Sequence, residues 1–160
     1  MISKDNKFIL NGILIFSIIS LAIAYFVQYV LGHKPCNLCL IERIPYIASI
    51  ILISLIFIIN KFEKIISIII LLFFIFASIV SFYHFGIEQG FFNESLVCDL
   101  ENNKHLSKEQ LLKQLESSSI VSCKDVTFRV LGLSLATINT IISIILSAIM
   151  VKIIINYDNN

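Results

Sequence analysis

Tryptophan is absent from this chain of 160 residues, and charged residues make up only 14% of it. Average soluble domains carry about 25% charged residues, so this shortage excludes an ordinary water-soluble domain. Lysine and arginine number 12 against 11 aspartates and glutamates, which gives a formal net charge of +1. Such a balance provides no basic surface for nucleic acid, and we exclude nucleic-acid binding as the function.

Apolar residues are abundant instead, at 58% of the chain with a mean hydropathy of +0.92. A helix that crosses the roughly 30 Å of bilayer hydrocarbon needs roughly 20 apolar residues. Four runs approach or exceed this length, at about residues 8–31, 40–59, 65–85 and 128–155. The runs do not alternate between polar and apolar residues, which excludes a barrel. We therefore predict a single all-α integral membrane domain, a bundle of four transmembrane helices in contact with the lipid bilayer.

The connections between the runs predict the topology. A turn at about residues 60–64 is short enough to join antiparallel neighbours, so the segment at about 32–39 and the long polar segment at about 86–127 lie together on the opposite face. Positively charged residues of the short segments lie on the face of the turn: Lys4, Lys7, Lys61, Lys64 and Lys152. Because such residues favour the cytoplasm, we predict cytoplasmic termini, a cytoplasmic turn, and one short and one long outer loop.

All four cysteines lie in or beside the two outer segments. Cys36 and Cys39 form a Cys-x-x-Cys pair, whereas Cys98 and Cys123 lie in the long segment. Disulfides persist in oxidising compartments, so this placement agrees with the predicted orientation. Thiol-exchange motifs and metal sites share the Cys-x-x-Cys spacing, which leaves open redox-active pairs, two static disulfides, or zinc held by the four cysteines. Structural zinc is less common than disulfides in secreted segments, and we predict no metal.

The residues around the Cys-x-x-Cys pair favour a reactive thiol. Cys39 is predicted at the start of the second helix, and Arg43 follows one turn later on the same face. Unpaired helical N–H groups, the helix dipole and a positive neighbour all favour a thiolate. Pro45 fits the first turn of a helix and supports this boundary. The alternative is that Arg43 only anchors the helix at the membrane interface, with Glu42 as its solvated neighbour.

Other features predict packing. Gln28 and Asn139 are expected to form interhelical hydrogen bonds, while Gly132 and Ala136 have the spacing of small residues that lets helices approach closely. Residues 106–118 of the long segment are predicted to form a short helix, on the membrane surface or packed on the bundle. These features indicate how the bundle is held together, without indicating its chemistry.

Three separated segments resemble the family of disulfide-bond formation protein B (DsbB). They are Cys36-x-Leu38-Cys39 followed by Glu42-Arg43, then Tyr83-His84-Phe85-Gly86-Ile87-Glu88, and finally Val121-x-Cys123 leading through Arg129 to Gly132-Leu133-Ser134-Leu135-Ala136 and Asn139. The resemblance extends over essentially the whole chain, with the same order of helices and the same short and long outer loops. Many relatives carry tryptophan near the outer surface, where we expect Phe91 and Phe92 to take its place.

The resemblance implies a route for electrons from a periplasmic thioredoxin-fold oxidase of the DsbA type to membrane quinone. By position, Cys98 would form the mixed disulfide with that partner, and Cys123 would be its mate. Cys36 would exchange with the loop pair, and Cys39 would be the thiolate that faces quinone. The protein would thus be a disulfide-forming protein-dithiol:quinone oxidoreductase.

The resemblance also implies the surroundings of this reaction. Arg43 would bind the quinone, which is ubiquinone or menaquinone, and His84 is a second candidate for the same pocket. The protein would lie in the bacterial inner membrane with its cysteine loops in the periplasm. These expectations go beyond what spacing and hydropathy predict.

Two other functions fit part of the pattern. A four-helix membrane protein with structural disulfides only needs neither an arginine after the Cys-x-x-Cys pair nor a reactive thiol. An enzyme similar to vitamin K epoxide reductase also joins thiols to quinone, but there the Cys-x-x-Cys pair lies late in the bundle. Here Cys36 and Cys39 precede the body of the second helix, which favours the quinone-linked disulfide-forming oxidase.

Overall fold

The structure is a computed structural model that describes residues 4–59, 62–93, 123–124, 129–130 and 132–158. Its helices are α1 (Lys4–Tyr29), α2 (Asn37–Ile41), α3 (Ile44–Ile59), α4 (Glu63–Glu88) and α5 (Leu135–Asp158). Two short antiparallel strands, β1 (Arg129–Val130) and β2 (Leu133–Ser134), pair Arg129 with Ser134 and Val130 with Leu133. The helix predicted at 106–118 lies outside the described residues.

Four helical spans are long and apolar enough to cross a membrane. They are Asn6–Tyr29, Asn37–Ile59, Glu63–Glu88 and Leu135–Tyr157, so that α2 and α3 together make the second span. Within the described ranges, the only extended structure is the two-strand hairpin before α5. The structure confirms the predicted all-α bundle of four membrane-spanning helices.

The bundle is held by contacts between neighbouring helices. α4 packs along α5 on one side and against α3 on another, and α1 packs mainly on α3. All four spans contribute to a buried apolar core whose fully enclosed members include Leu10, Ile53, Ile56, Ile70, Phe74, Met150 and Ile153. Large apolar side chains also cover the outer surface, among them Ile51, Leu72 and Ile144. An apolar exterior of this kind is favourable in lipid and unfavourable in water.

The second span begins earlier than predicted and contains a break. The sequence analysis places this helix at 40–59, whereas α2 begins at Asn37, with Cys36 as its N-cap. A break at Glu42 and Arg43 separates α2 from α3, because Pro45 has no N–H to bond the carbonyl group one turn before it. Cys39 is therefore the third residue of α2 and does not begin the helix.

The last helix starts at Leu135, later than the predicted residue 128. The β1–β2 hairpin occupies the intervening residues, and Gly132 at its turn has a φ of +84°, a left-handed conformation that favours glycine. Ser134 then caps α5, its Oγ accepting the N–H of Thr137 at 3.2 Å. Gly132 thus serves the turn and not the predicted helix contact, whereas Ala136 is buried in the bundle.

The other helix ends also differ from the predicted bounds. α1 covers Lys4–Tyr29, where the sequence predicts about 8–31, and α4 continues to Glu88, three residues beyond the predicted end. Gly90, with a φ of +78°, terminates α4, and the N–H of Phe91 bonds back to the carbonyl of Gly86 at 2.8 Å. This extension matters for function, because it brings Glu88 into the same helical face as His84, one turn earlier.

Candidate redox site at the cysteine end of the bundle

The Cys-x-x-Cys pair lies at one end of the bundle, the cysteine end, together with Cys123. Cys36 is buried and Cys39 is half-buried, and neither is disulfide-bonded. Their Sγ atoms are 2.8 Å apart, compared with about 2.05 Å in a disulfide bond. The structure therefore shows a reduced pair that needs only a small side-chain movement to form a disulfide.

Cys36 has the surroundings of a stabilised thiolate. Its Sγ accepts the backbone N–H of Cys39 at 3.3 Å and lies 3.5 Å from Nε2 of His84. The hydrogen bond from the Cys39 thiol, aided by His84, outweighs the opposing effect of burial and lowers the pKa of Cys36 to about 4. The sequence-based assignment of the quinone-facing thiolate to Cys39 stays a prediction, because the two sulfurs can act in different steps of a dithiol's oxidation.

A buried ion pair lies behind Cys36. His84 on α4 is 3% exposed, and its Nδ1 is 2.8 Å from Oε1 of Glu42, which lies between α2 and α3. On the other side of the ring, Nε2 is 3.8 Å from Oε1 of Glu88. The imidazole therefore connects the reactive sulfur to two carboxyl groups inside the protein.

Asn139 of α5 fixes the far side of this ion pair. Its Nδ2 donates to Oε2 of Glu42 at 2.8 Å and to Oγ of Ser81 at 2.9 Å, while its Oδ1 accepts the hydroxyl of Tyr46. These bonds connect α5 to α3 and α4 and confirm the predicted interhelical role of Asn139. The same residue thus joins the packing of three helices to the geometry of the site.

A cavity of about 270 Å³ opens beside the cysteines. Helices α1 and α5 supply its apolar walls, which include Leu21, Ile23, Val27, Leu135, Ile138 and Ile142. Its polar wall contains Cys36, Cys39, Glu42, Arg43, His84, Glu88 and Cys123. This volume is close to the lower end of the range for small-molecule sites, about 300 Å³, and suits one flat apolar ring with polar substituents.

Arg43 is fixed at the edge of the cavity by α1. Its Nη1 donates to Oε1 of Gln28 at 2.6 Å, and its guanidinium group lies 5.0 Å from the centre of the Tyr25 ring. The bond to Gln28 confirms the interhelical hydrogen bond predicted for that residue. Arg43 is thereby oriented in advance, and the donors that Gln28 leaves unused remain for a ligand in the cavity.

Cys123 lies in the wall of the same cavity. It is 2% exposed, it is disulfide-bonded, and it packs in a small buried cluster with Cys36, Leu38 and Ile87. Cys98 lies outside the described residues. The structure therefore brings five of the six predicted site residues to the cysteine end: Cys36, Cys39, Cys123, Arg43 and His84.

Soft metal donors also meet here. The ligand atoms of Cys36, Cys39 and His84 all lie within 4.8 Å of one another. Among the described residues, these three side chains form the group that could hold a metal ion. The four-cysteine zinc site considered from the sequence does not form in this state, because the sulfur of Cys123 is in a disulfide and is not a thiolate ligand.

Comparison with known proteins agrees with the geometry. The family model of disulfide bond formation protein DsbB matches residues 6–153. The chain belongs to the DsbB family. An uncharacterized protein of Rickettsia prowazekii (strain Madrid E), RP370, is 33% identical over 148 residues, which cover 91% of this chain and 86% of the relative. No solved structure matches the chain.

Membership of the DsbB family makes the chain a membrane protein of disulfide-bond formation and indicates thiol oxidoreductase chemistry. The structure adds to the candidate site three residues that are not among the predicted site residues: Glu42, Glu88 and Asn139. In the alternative that makes Arg43 an interfacial anchor, Glu42 is its solvated neighbour, whereas the structure has Glu42 8% exposed and bonded to His84. The sequence feature that indicates a role for Glu42 is its ionisable side chain within an apolar span. Such a side chain is costly in lipid and commonly marks a functional site.

Proposed function

We propose that this protein reoxidises a periplasmic thioredoxin-fold dithiol oxidase of the DsbA type and passes the electrons to membrane quinone. The observation that carries the proposal is the reduced Cys36–Cys39 pair in the wall of a largely apolar cavity, beside the disulfide-bonded Cys123. A redox site needs both a disulfide that a soluble thiol can attack and a place for the electron acceptor. The disulfide-bonded Cys123 and the cavity lie together at the cysteine end, which supports the proposal.

The cavity fits a quinone of the ubiquinone or menaquinone type. A quinone is a flat apolar ring with two carbonyl acceptors, and the lining offers apolar walls from α1 and α5 with the guanidinium group of Arg43 at the edge. When bound, the quinone would accept the two electrons that are released when a dithiol becomes a disulfide. Arg43 would hold it by hydrogen bonds, and Leu21 and Ile142 would exclude water from the ring.

The cysteines act by thiol-disulfide exchange, in which a thiolate attacks one sulfur of a disulfide and displaces the other. We assign Cys98 and Cys123 as the pair that receives electrons from the partner, and Cys36 and Cys39 as the pair that delivers them to quinone. Cys36 and Cys123 belong to one buried cluster, which supports exchange between the two pairs. Attack of a Cys123 thiolate on Cys36 displaces Cys39, and Cys36, as the stabilised thiolate, is then a good leaving group when Cys98 attacks Cys123 in the mixed disulfide.

The activity itself is the first test. Purified protein in detergent, given reduced partner and a water-soluble quinone, should consume one quinone for each partner dithiol oxidised, because each disulfide formed releases two electrons. Quinone loss is followed by its ultraviolet absorbance and partner thiols by a colorimetric reagent. Oxidation of the partner without matching loss of quinone would contradict the proposed acceptor.

The proposed location is the bacterial inner membrane, with both termini in the cytoplasm and the cysteine end in the periplasm. The disulfide at Cys123 supports this orientation, since disulfides persist in oxidising compartments. After reduction, a membrane-impermeant maleimide should label the parent protein in cells whose outer membrane alone has been opened. In a variant with all four cysteines replaced by serine, Asn160→Cys should be labelled only after the inner membrane is opened. The reverse pattern would invert the topology.

A further inference from the structure

Three ionisable groups in the site take no direct part in the exchange of cysteines, although His84 is also predicted as a second residue of the quinone pocket. Glu42, His84 and Glu88 have side chains that are at most 10% exposed, within spans that cross the membrane. Burying a charge costs several kcal/mol unless it is paired and hydrogen-bonded, so such a cluster is not expected in a bundle that needs only packing. Its position directly behind Cys36 indicates a role in the chemistry of that sulfur.

The hydrogen bonds around His84 indicate which of its ring nitrogens carries a hydrogen. The carboxylate of Glu42 is an acceptor, so Nδ1 of His84, 2.8 Å away, carries a hydrogen. In the neutral ring Nε2 is then an acceptor, and it lies 3.5 Å from Sγ of Cys36. The backbone N–H of Cys39 points to the same sulfur. The surroundings of Cys36 thus offer hydrogen bonds to the sulfur and an acceptor for its proton.

Hydrogen bonds to both carboxylate oxygens fix the orientation of Glu42. One carboxylate oxygen receives His84 and the other receives Nδ2 of Asn139. Reversal of the Asn139 amide would break hydrogen bonds, because its Oδ1 accepts the hydroxyl of Tyr46 and its Nδ2 also donates to Ser81. The orientation of Glu42, and through it the tautomer of His84, is therefore determined by contacts from α3, α4 and α5.

We propose that His84 takes the proton of the Cys36 thiol in the reduced pair, and that Glu42, fixed by Asn139, is the positioning residue that keeps His84 ready to do so. In this step the S–H bond of Cys36 breaks and an N–H bond forms at Nε2, with no change in electron count. When Cys36 and Cys39 re-form their disulfide, two electrons and two protons leave for the quinone, and the two protons are the one held on His84 and the one of the Cys39 thiol. Only the transfer to quinone depends on the proposed function.

Charged and titratable groups from several elements face His84. They are Cys36 and Cys39 from the loop and α2, Glu42 from the connection to α3, Tyr46 from α3 and Glu88 from α4, while the nearest polar residue of α5, Asn139, is neutral. The carboxylate of Glu42, 2.8 Å from Nδ1, stabilises the ring when Nε2 holds the proton of Cys36. The lowered pKa of Cys36 means that its thiolate is present above about pH 4 and persists through neutral pH.

The test is a titration of the reduced Cys36–Cys39 pair in a Cys98→Ser, Cys123→Ser background, in detergent and without quinone or partner. Ultraviolet absorbance of the first thiolate reports its midpoint. We expect Glu42→Gln and His84→Gln to raise this midpoint by about one to three pH units, the usual effect of losing a charged neighbour. Glu42→Asp, which keeps the charge, should recover most of the shift.

Glu88→Gln is the matched control, since it makes the same change beside the same ring but at 3.8 Å from Nε2 instead of 2.8 Å from Nδ1. It should move the midpoint less than Glu42→Gln does. Equal midpoints for Glu42→Gln and the parent, or equal shifts for both glutamine variants, would overturn the proposal. Circular dichroism and thermal unfolding establish that each variant is folded. Because quinone takes no part, a shifted midpoint with no quinone turnover would support the proton transfer and contradict the proposed function alone.

Discussion

Cys39→Ser is expected to abolish quinone reduction while the first exchange with the partner persists. A serine hydroxyl cannot form a disulfide with Cys36, so the pair beside the cavity cannot cycle. Cys98 and Cys123 still hold an oxidised pair in this variant, and it should oxidise about one equivalent of reduced partner and then stop. The measurement combines steady-state loss of quinone absorbance, expected at background level, with a single-turnover assay of partner thiols.

Cys123→Ser provides the reciprocal control. It removes the disulfide that the partner attacks, so oxidation of the partner should be lost, while a small dithiol that reduces Cys36 and Cys39 directly should still drive quinone reduction. Loss of one half-reaction in each variant shows that the two pairs act in series. Normal quinone turnover by Cys39→Ser would remove the Cys-x-x-Cys pair from the electron route and return the protein to the structural-disulfide alternative.

The architecture could be predicted because lipid imposes a strong and local requirement. A span must be apolar over roughly 20 residues and must satisfy its own backbone, so composition alone identifies helices such as the third, in which no Asp, Glu, Lys or Arg interrupts 65–85. Hydropathy is a poor guide to helix ends. The apolar run before Leu135 contains a hairpin. The sequence feature that indicates its turn is Gly132, for which the spacing to Ala136 predicts helix packing instead.

The cysteine pair and Arg43 can be found from the sequence because they lie within one stretch of eight residues, so that their proximity follows from the chain itself. The ion pair behind them joins residues 42 positions apart, and the contact of Glu42 with Asn139 joins residues 97 positions apart. Local periodicity contains no information on such pairings, which depend on how α3, α4 and α5 pack. The sequence does show three polar side chains, Glu42, His84 and Asn139, in apolar surroundings. Because burying a polar side chain is costly unless it is hydrogen-bonded, the simplest expectation is that these three lie close together.

Arg43→Lys is expected to raise the apparent Michaelis constant for quinone about tenfold to hundredfold. Lysine keeps the positive charge that anchors a helix at the membrane interface, but it lacks the planar fork of donors. In the structure that fork is oriented by Gln28 and by the ring of Tyr25 before any ligand binds. Losing one hydrogen bond from a charged donor costs about 1.5 to 3 kcal/mol, which corresponds to the expected change when binding is near equilibrium.

The control for Arg43→Lys is Arg129→Lys, the same substitution at an exposed position in β1 that does not line the cavity. It should leave the quinone dependence unchanged. Partner oxidation in a single turnover should be nearly unaffected in both variants, because that step takes place at Cys98 and Cys123 and not at the ring. An unchanged quinone dependence in Arg43→Lys would make the residue an interfacial anchor, since an anchor requires only the charge. Equal losses in both half-reactions would instead show that the bond between α1 and Arg43 supports the bundle as a whole, because the loss of a hydrogen bond to quinone alone would leave the exchange with the partner unchanged.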